Sequence, residues 1–181
     1  RQFPASIPLE VFNLVYISID PETPGQREAL DRLNAIGNDR EVAQWIGTAY
    51  YNLGIGLYDN GETTRAIAAY QHSLRFLPDR ATTLTQLAQA LQQQGNQPAS
   101  TAAILRAAQL APHDPSTLYR AAFALQFQGE TTRAVEYCLA ALDLQPEPKL
   151  YLLLGTCYRQ LGEQEQARAA YRQSIALAPK N

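Results

Sequence analysis

Four side chains of this sequence belong to the residue types that carry most nucleophilic, redox and metal chemistry: Cys138, Cys157, His72 and His113. A thiol activated by an imidazole, or a thiol pair that closes a disulfide, is the chemistry such residues support. The 19-residue spacing of the cysteines matches no zinc signature, and two cysteines are too few for a disulfide framework. No Ser-His-Asp or Cys-His signature surrounds either histidine. We therefore predict neither an enzyme nor a bound metal or other cofactor.

The charge composition bears on whether the protein binds nucleic acid or a membrane surface. Basic and acidic residues number 15 and 17, and charged residues make up only 18% of the chain. Such a balance gives no electrostatic footprint for nucleic acid or for an anionic membrane surface. No Gly-rich phosphate-binding loop is present, and the stretch that comes nearest to one, LGIGLYDNG at 53–61, is interpreted as part of the repeat packing. We expect Gly54 and Gly61 within it to serve helix packing and a turn instead.

The hexapeptide GETTRA occurs twice, at 61–66 and at 129–134. The separation of 68 residues is twice 34, and glycine and proline both recur at about 34 residues along the chain. The glycines are Gly61, Gly95, Gly129 and Gly162, and the prolines are Pro78, Pro112, Pro146 and Pro179. The period divides the chain into four units, 47–80, 81–114, 115–147 and 148–181.

Each unit predicts two helices. Apolar and small residues follow the i, i+3, i+4, i+7 spacing of one helix face, and in the first unit these are Tyr50, Leu53, Gly54 and Leu57. The recurring glycine ends this helix, and the proline closes a second one. Small residues stand where the two helices of a hairpin must approach closely. They are Gly54, Ala88, Ala122 and Gly155.

These residues resemble the tetratricopeptide repeat family, whose pattern is W-x2-L-G-x2-Y…A-x3-F…P. The resemblance covers residues 47–181, with Tyr or Leu in place of Trp and with Ala121 in place of one Leu. It implies an all-α solenoid of helix-turn-helix hairpins, stacked as a right-handed superhelix with a concave groove lined by the first helices. It also implies non-catalytic protein binding, as an adaptor, a scaffold or an assembly factor.

By analogy with the family, positions 2, 5, 6, 9, 12 and 13 of each unit face the groove. We predict that a partner contacts Tyr51, Asn52, Tyr58, Gln86, Gln89, Tyr119, Arg120, Phe123, Phe127 and Leu152. Aromatic rings offer apolar area at low entropic cost and amides can pair with a peptide backbone, so this set suits an extended or helical segment of low charge. The alternative is that some of these aromatic rings pack against neighbouring helices.

One specialised branch of the family holds the acidic tails of chaperones in a carboxylate clamp of Lys, Asn and Arg side chains. In this chain the five clamp positions hold Tyr51, Ile55, Gln86, Ser116 and Arg120. Only Arg120 fits, and starting one unit later improves nothing. The sequence therefore argues against that function.

The first 46 residues do not fit the repeat. Residues 1–24 contain the apolar run LEVFNLVYISI at 9–19, bracketed by prolines, and its periodicity leaves strand and helix open. Residues 25–46 predict an amphipathic helix to Ile36, then a cap at Asn38 or Asp39 and the start of the first repeat helix. We expect helix 25–36 to cap the first hairpin. We expect the run at 5–19 to lie in a groove of this molecule or of a neighbour, with the stub of a membrane anchor as the alternative.

Partner and compartment stay open at this stage. The sequence begins at Arg1 and contains no Met, so we expect a leading segment, with any targeting signal or anchor, to precede it. No helix is predicted after Pro179 to cover the last unit, so further chain or a second copy is expected there, and a homodimer is one expectation. Cys138 and Cys157 fall on helices expected to pack together, as a disulfide or as two buried thiols. The second hypothesis for function is the binding domain of a larger, membrane-anchored or enzymatic protein.

Overall fold

A computed structural model describes residues 8–178 of the 181-residue chain. The described residues form ten α-helices and no strand. They are α1 Leu9–Ser18, α2 Gln26–Ile36, α3 Arg40–Asp59, α4 Thr63–Phe76, α5 Ala81–Gln93, α6 Gln97–Leu110, α7 Pro115–Phe127, α8 Thr131–Leu144, α9 Pro148–Gln160 and α10 Gln164–Leu177. The helices divide into two compact units, Arg1–Ser100 and Thr101–Asn181, with the boundary inside α6.

In the first unit, α3 and α4 form the hairpin of the first repeat. The Asp39 carboxylate caps α3 by accepting from the backbone N–H groups of Glu41 and Val42. Gly61 follows α3 with a φ of 82°, a left-handed conformation that favours glycine. The N–H of Glu62 then donates to the Leu57 carbonyl at 2.8 Å. This turn satisfies the end of α3 and reverses the chain directly into α4.

Close packing of α3 on α4 depends on small residues. A Cβ atom added to Gly54 would lie 2.5 Å from Cε1 of Tyr70, so the ring occupies the space that any side chain would need. The Ser73 hydroxyl donates to the Gly47 carbonyl at 2.7 Å, which ties the two helices together at a second point. In the next hairpin a serine also joins the two helices, but at another repeat position: the Ser100 hydroxyl donates to the Ala88 carbonyl at 2.7 Å.

The apolar run before the repeats is the helix α1, and it packs against both α2 and α3. Val15 is fully buried, and the hydroxyl groups of Ser18 and Tyr50 lie 2.6 Å apart. Tyr50 belongs to the hydrophobic pattern of the repeat and not to the predicted groove positions. This packing within the unit, rather than a place in a groove, accounts for residues 9–18. The start of the predicted 5–19 segment lies outside the described residues.

The second unit has the same construction. Its core contains Ala122, Leu125, Cys138, Leu154 and Cys157, from α7, α8 and α9. At Gly155 an added Cβ would lie 2.6 Å from Cε1 of Tyr171, which reproduces the contact of Gly54 with Tyr70. In the third repeat the small residue is Ala122, and the residue at the position of Tyr70 and Tyr171 is Cys138, whose side chain is smaller than that of tyrosine. In these three hairpins the two helices are therefore matched in side-chain volume at their crossing.

Candidate protein-binding surfaces

Within the first compact unit, which ends at Ser100, the predicted groove residues lie on α3 and α5. Tyr58 and Gln89 meet across these helices, because the Gln89 side-chain amide donates to the Tyr58 hydroxyl at 3.2 Å. Asn52 is exposed, while Tyr58, Gln86 and Gln89 are half-buried. The helices thus bring part of the predicted set into direct contact and leave Asn52 at the surface.

The Tyr51 ring lies between the core residue Tyr70 and the cation Arg80. Its ring centroid lies 6.3 Å from that of Tyr70 on the inner side. The guanidinium carbon of Arg80 lies 4.4 Å from the centroid of the Tyr51 ring, within the range of a cation–π interaction. The same guanidinium donates to the Thr48 hydroxyl at 3.1 Å. One side of the Tyr51 ring therefore packs against the core, which agrees with the predicted alternative that some of these aromatic rings pack against neighbouring helices.

Sequence reasoning missed Arg80. A signal was present, because the residue that precedes each of the other first helices of the repeats is acidic, namely Asp39, Asp114 and Glu147. At α5 this position holds Arg80, a cation next to the positive end of the helix dipole. The contacts of Arg80 with Tyr51 and Thr48 connect the residue before α5 to α3.

Within the second compact unit, which begins at Thr101, the predicted groove residues lie on α7 and α9. Phe123 and Phe127 are 43% and 68% exposed, and Leu152 is 55% exposed, so three large apolar side chains face solvent. The Tyr119 ring lies 6.4 Å from the Phe123 ring and packs partly against the core. Aromatic groups spaced four residues apart line one side of a helix, so these rings form an apolar stripe along α7.

Basic groups accompany this stripe. Lys149 Nζ lies 5.3 Å from the Tyr119 ring centroid and 2.7 Å from the Glu147 carboxylate. Arg120 and Arg159 are the other charged residues of the two helices, and neither helix contains Asp or Glu. Tyr119 with Lys149 repeats, in the second unit, the pairing of a tyrosine ring with a cation that Tyr51 and Arg80 make in the first.

Cys138, Cys157 and His72 are buried or partly buried side chains that serve packing. Cys138 and Cys157 are free thiols and fully buried. A hydrogen bond to Cys157 and burial both raise the pKa of Cys138, which opposes formation of a reactive thiolate. The His72 ring lies 5.0 Å from the Tyr50 ring, and burial together with nearby Arg75 lowers the pKa of His72. Across residues 8–178, no three His, Cys, Asp or Glu side chains form a group suited to a metal ion.

The family is established by sequence comparison. Family models of the tetratricopeptide repeat match residues 47–115, 115–148 and 148–181. The chain belongs to the tetratricopeptide repeat family. Its all-α helical-repeat solenoid, predicted from the sequence, is confirmed. No curated protein sequence matches the chain.

Solved structures of MamA share this fold. MamA of AMB-1 is 21% identical, with 95% of this chain and 99% of that chain covered and a TM-score of 0.63. MamA of MSR-1 is 23% identical, with 92% and 97% covered and a TM-score of 0.60. A double mutant of MamA of RS-1 is 19% identical, with 95% and 96% covered and a TM-score of 0.64. At these identities the likeness concerns the fold alone.

Among the helices within residues 8–178, none is both long enough and apolar enough to cross a bilayer.

Proposed function

We propose that this tetratricopeptide repeat protein is a non-catalytic interaction module that holds a low-charge peptide or helix against the exposed faces of its first helices. Repeats of this family are typically protein-interaction modules, and their stacking leaves one face available to partners. The observation that carries the proposal is the exposure of Phe123, Phe127 and Leu152 on α7 and α9. Large apolar groups clustered at a surface mark sites where a protein partner excludes water.

The test compares capture of partners from native lysate by the wild-type chain and by the triple variant Tyr119→Ala, Phe123→Ala, Phe127→Ala. We expect the triple variant to capture at least about tenfold less partner than the wild-type chain, because aromatic side chains contribute most of the binding free energy at many interfaces. Circular dichroism must show that the variant keeps its helicity.

The matched control is the double variant Leu139→Ala, Leu144→Ala. These leucines are 48% and 41% exposed but lie on α8, the second helix of the same hairpin. Capture should survive in this control. Undiminished capture by the triple variant, or an equal loss in the control, would place binding on another surface.

A further inference from the structure

Two thiols meet at the interface between the third and the fourth repeat. Cys138 on α8 and Cys157 on α9 belong to the same core of the second compact unit, and both side chains are fully buried. They are the only cysteines of the chain, and a hydrogen bond connects them. Because α8 and α9 pack together, a rotation of the side chains and a small shift would bring the two sulfur atoms to bonding distance.

The pair departs from the repeat pattern on both helices. The residues at the position of Cys138 in the other repeats are larger, namely Tyr70, Ile104 and Tyr171. The residues at the position of Cys157 in the other repeats are small, namely Gly56, Ala90 and Ala124. The large residue of one helix and the small residue of the next are thus both replaced by cysteine at this one interface.

The hydrogen bond makes the two thiols unequal. It raises the pKa of Cys138, as burial also does, and it lowers the pKa of Cys157 although burial opposes this effect. The Cys138 thiol is therefore the donor and the Cys157 sulfur the acceptor. A thiolate is the nucleophile in thiol chemistry, so Cys157 is the sulfur that reacts first and Cys138 is placed to react with its product.

We propose that Cys138 and Cys157 form a reversible disulfide that links α8 to α9, with hydrogen peroxide as the oxidant. The Cys157 sulfur first attacks one peroxide oxygen and the O–O bond breaks. Cys157 becomes a sulfenic acid, and the other oxygen leaves as hydroxide and takes up the thiol proton to form water. The Cys138 sulfur then attacks the Cys157 sulfur, the S–O bond breaks, and the hydroxyl group leaves as water with the proton of Cys138.

Two thiols and one peroxide thus give one disulfide and two water molecules. The two sulfur atoms lose the two electrons that the peroxide gains. A small dithiol compound reverses the reaction by thiol–disulfide exchange. Since both thiols are fully buried, peroxide reaches them when α9 separates locally from α8, and the bond closes when the helices pack again.

The bond acts on the fourth repeat as a lock. Helix α9 is the first helix of that repeat and packs against both α8 and α10. While the thiols are free, the fourth repeat can separate from the third, and a covalent link between α8 and α9 removes this opening. The inference goes beyond the proposed function and holds for any partner, because it concerns the order of one repeat.

The chemical test exposes the folded wild-type chain to hydrogen peroxide, alkylates it in denaturant without reduction and determines its mass. We expect a monomer that has lost two hydrogen atoms and takes up no alkylating reagent, and dithiothreitol should restore both thiols. Three results would each overturn the proposal: disulfide-linked dimers, addition of oxygen without a bridge, and thiols that react only after the chain is denatured.

Two single variants with retained helicity test the order of the steps. In Cys138→Ala the sulfenic acid of Cys157 meets no second thiol, so a 1,3-diketone reagent should trap it. In Cys157→Ala we expect at least about tenfold less trapped product, because Cys138 does not readily form a thiolate. Equal trapping in the two variants would contradict the assignment of Cys157 as the sulfur that reacts first.

Amide hydrogen exchange of the oxidised and the reduced wild-type chain measures the lock itself. We expect exchange in α9 to slow at least about tenfold on oxidation, because the opening that exposes its amides is removed. Helix α3 lies in the other compact unit and serves as the internal control, with no change expected. Unchanged or faster exchange in α9 would show that the bond does not hold the native interface, and it would overturn the lock.

Discussion

Gly54 lies where the two helices of the first repeat come closest. We expect Gly54→Ala to destabilise the protein by about 1–3 kcal/mol, because the added methyl group would have to displace the buried ring of Tyr70. Gly56 is a matched control on the same helix, with open space around the position of its missing Cβ. Gly56→Ala should stabilise by about 0.5–1 kcal/mol through helix propensity. Urea denaturation measures both, and equal effects of the same sign would contradict the packing argument.

Tyr70 also makes stability depend on alkaline pH. Burial, followed by the nearby charges of Tyr51, Asp59 and Tyr58, raises the pKa of Tyr70 to about 12. In the unfolded chain the phenol ionises near pH 10, so between pH 10 and 12 only the unfolded state loses its proton. Stability contributed by the neutral phenol is therefore complete below pH 10 and is lost progressively as the pH rises from 10 to about 12.

We expect the free energy of unfolding to fall by about 1.4 kcal/mol per pH unit in this interval from Tyr70 alone. Tyr70→Phe keeps the ring against Gly54 and removes the titrating group. Its free energy of unfolding, measured by denaturation at successive pH values, should decline less steeply between pH 10 and 12. Identical pH profiles would show that the phenol titrates normally in the folded protein.

Between helices, the duplicated hexapeptide shows what identical residues determine. Gly61 and Gly129 have the same φ of 82°, and the first turns of α4 and α8 both carry an ion pair, Glu62 with Arg65 and Glu130 with Arg133. The surroundings differ, because Arg65 also lies 3.9 Å from Asp20 in the segment between α1 and α2. Local sequence thus sets the turn, and the neighbouring element sets what the arginine contacts.

Helix α1 offers a test on adjacent residues. Val15 is fully buried, whereas Tyr16 is 57% exposed. We expect Val15→Ala to cost about 2 kcal/mol because it leaves a cavity between helices, and Tyr16→Ala to cost less than about 0.5 kcal/mol. Thermal or urea unfolding compares the two variants. Equal effects would mean that α1 does not pack through this face.

The same helix shows where sequence reasoning stops. The run at 9–19 has apolar residues on every side, so neither a period of 2 nor a period of 3.6 stands out and the contacts with α2 and α3 decide the structure. The repeat hairpins were predictable because glycine and small residues recur at fixed spacing. The pairing of Arg80 with Tyr51 was not, because the direction of a long side chain depends on neighbours in three dimensions. The binding residues, the capping of the first hairpin by helix 25–36 and the homodimer stay predictions.

Over the whole molecule, family and fold follow from the repeat, while the partner depends on a few positions that the repeat does not constrain. Phe123, Phe127 and Leu152 are large, apolar and exposed without being required for the hairpin, and Arg80 breaks the capping pattern of its helix. They are the positions at which a change of partner would first be expected to appear.

The pairing of helices also bears on how quickly the chain reaches its native state. Within each unit, the helices that pack together are consecutive or separated by a single helix along the chain. Contacts between residues close in sequence require little loop closure before they form. We therefore expect rapid folding that can begin at any one hairpin and spread to its neighbours, so that the order of events is set by local stability and not by one obligatory nucleus.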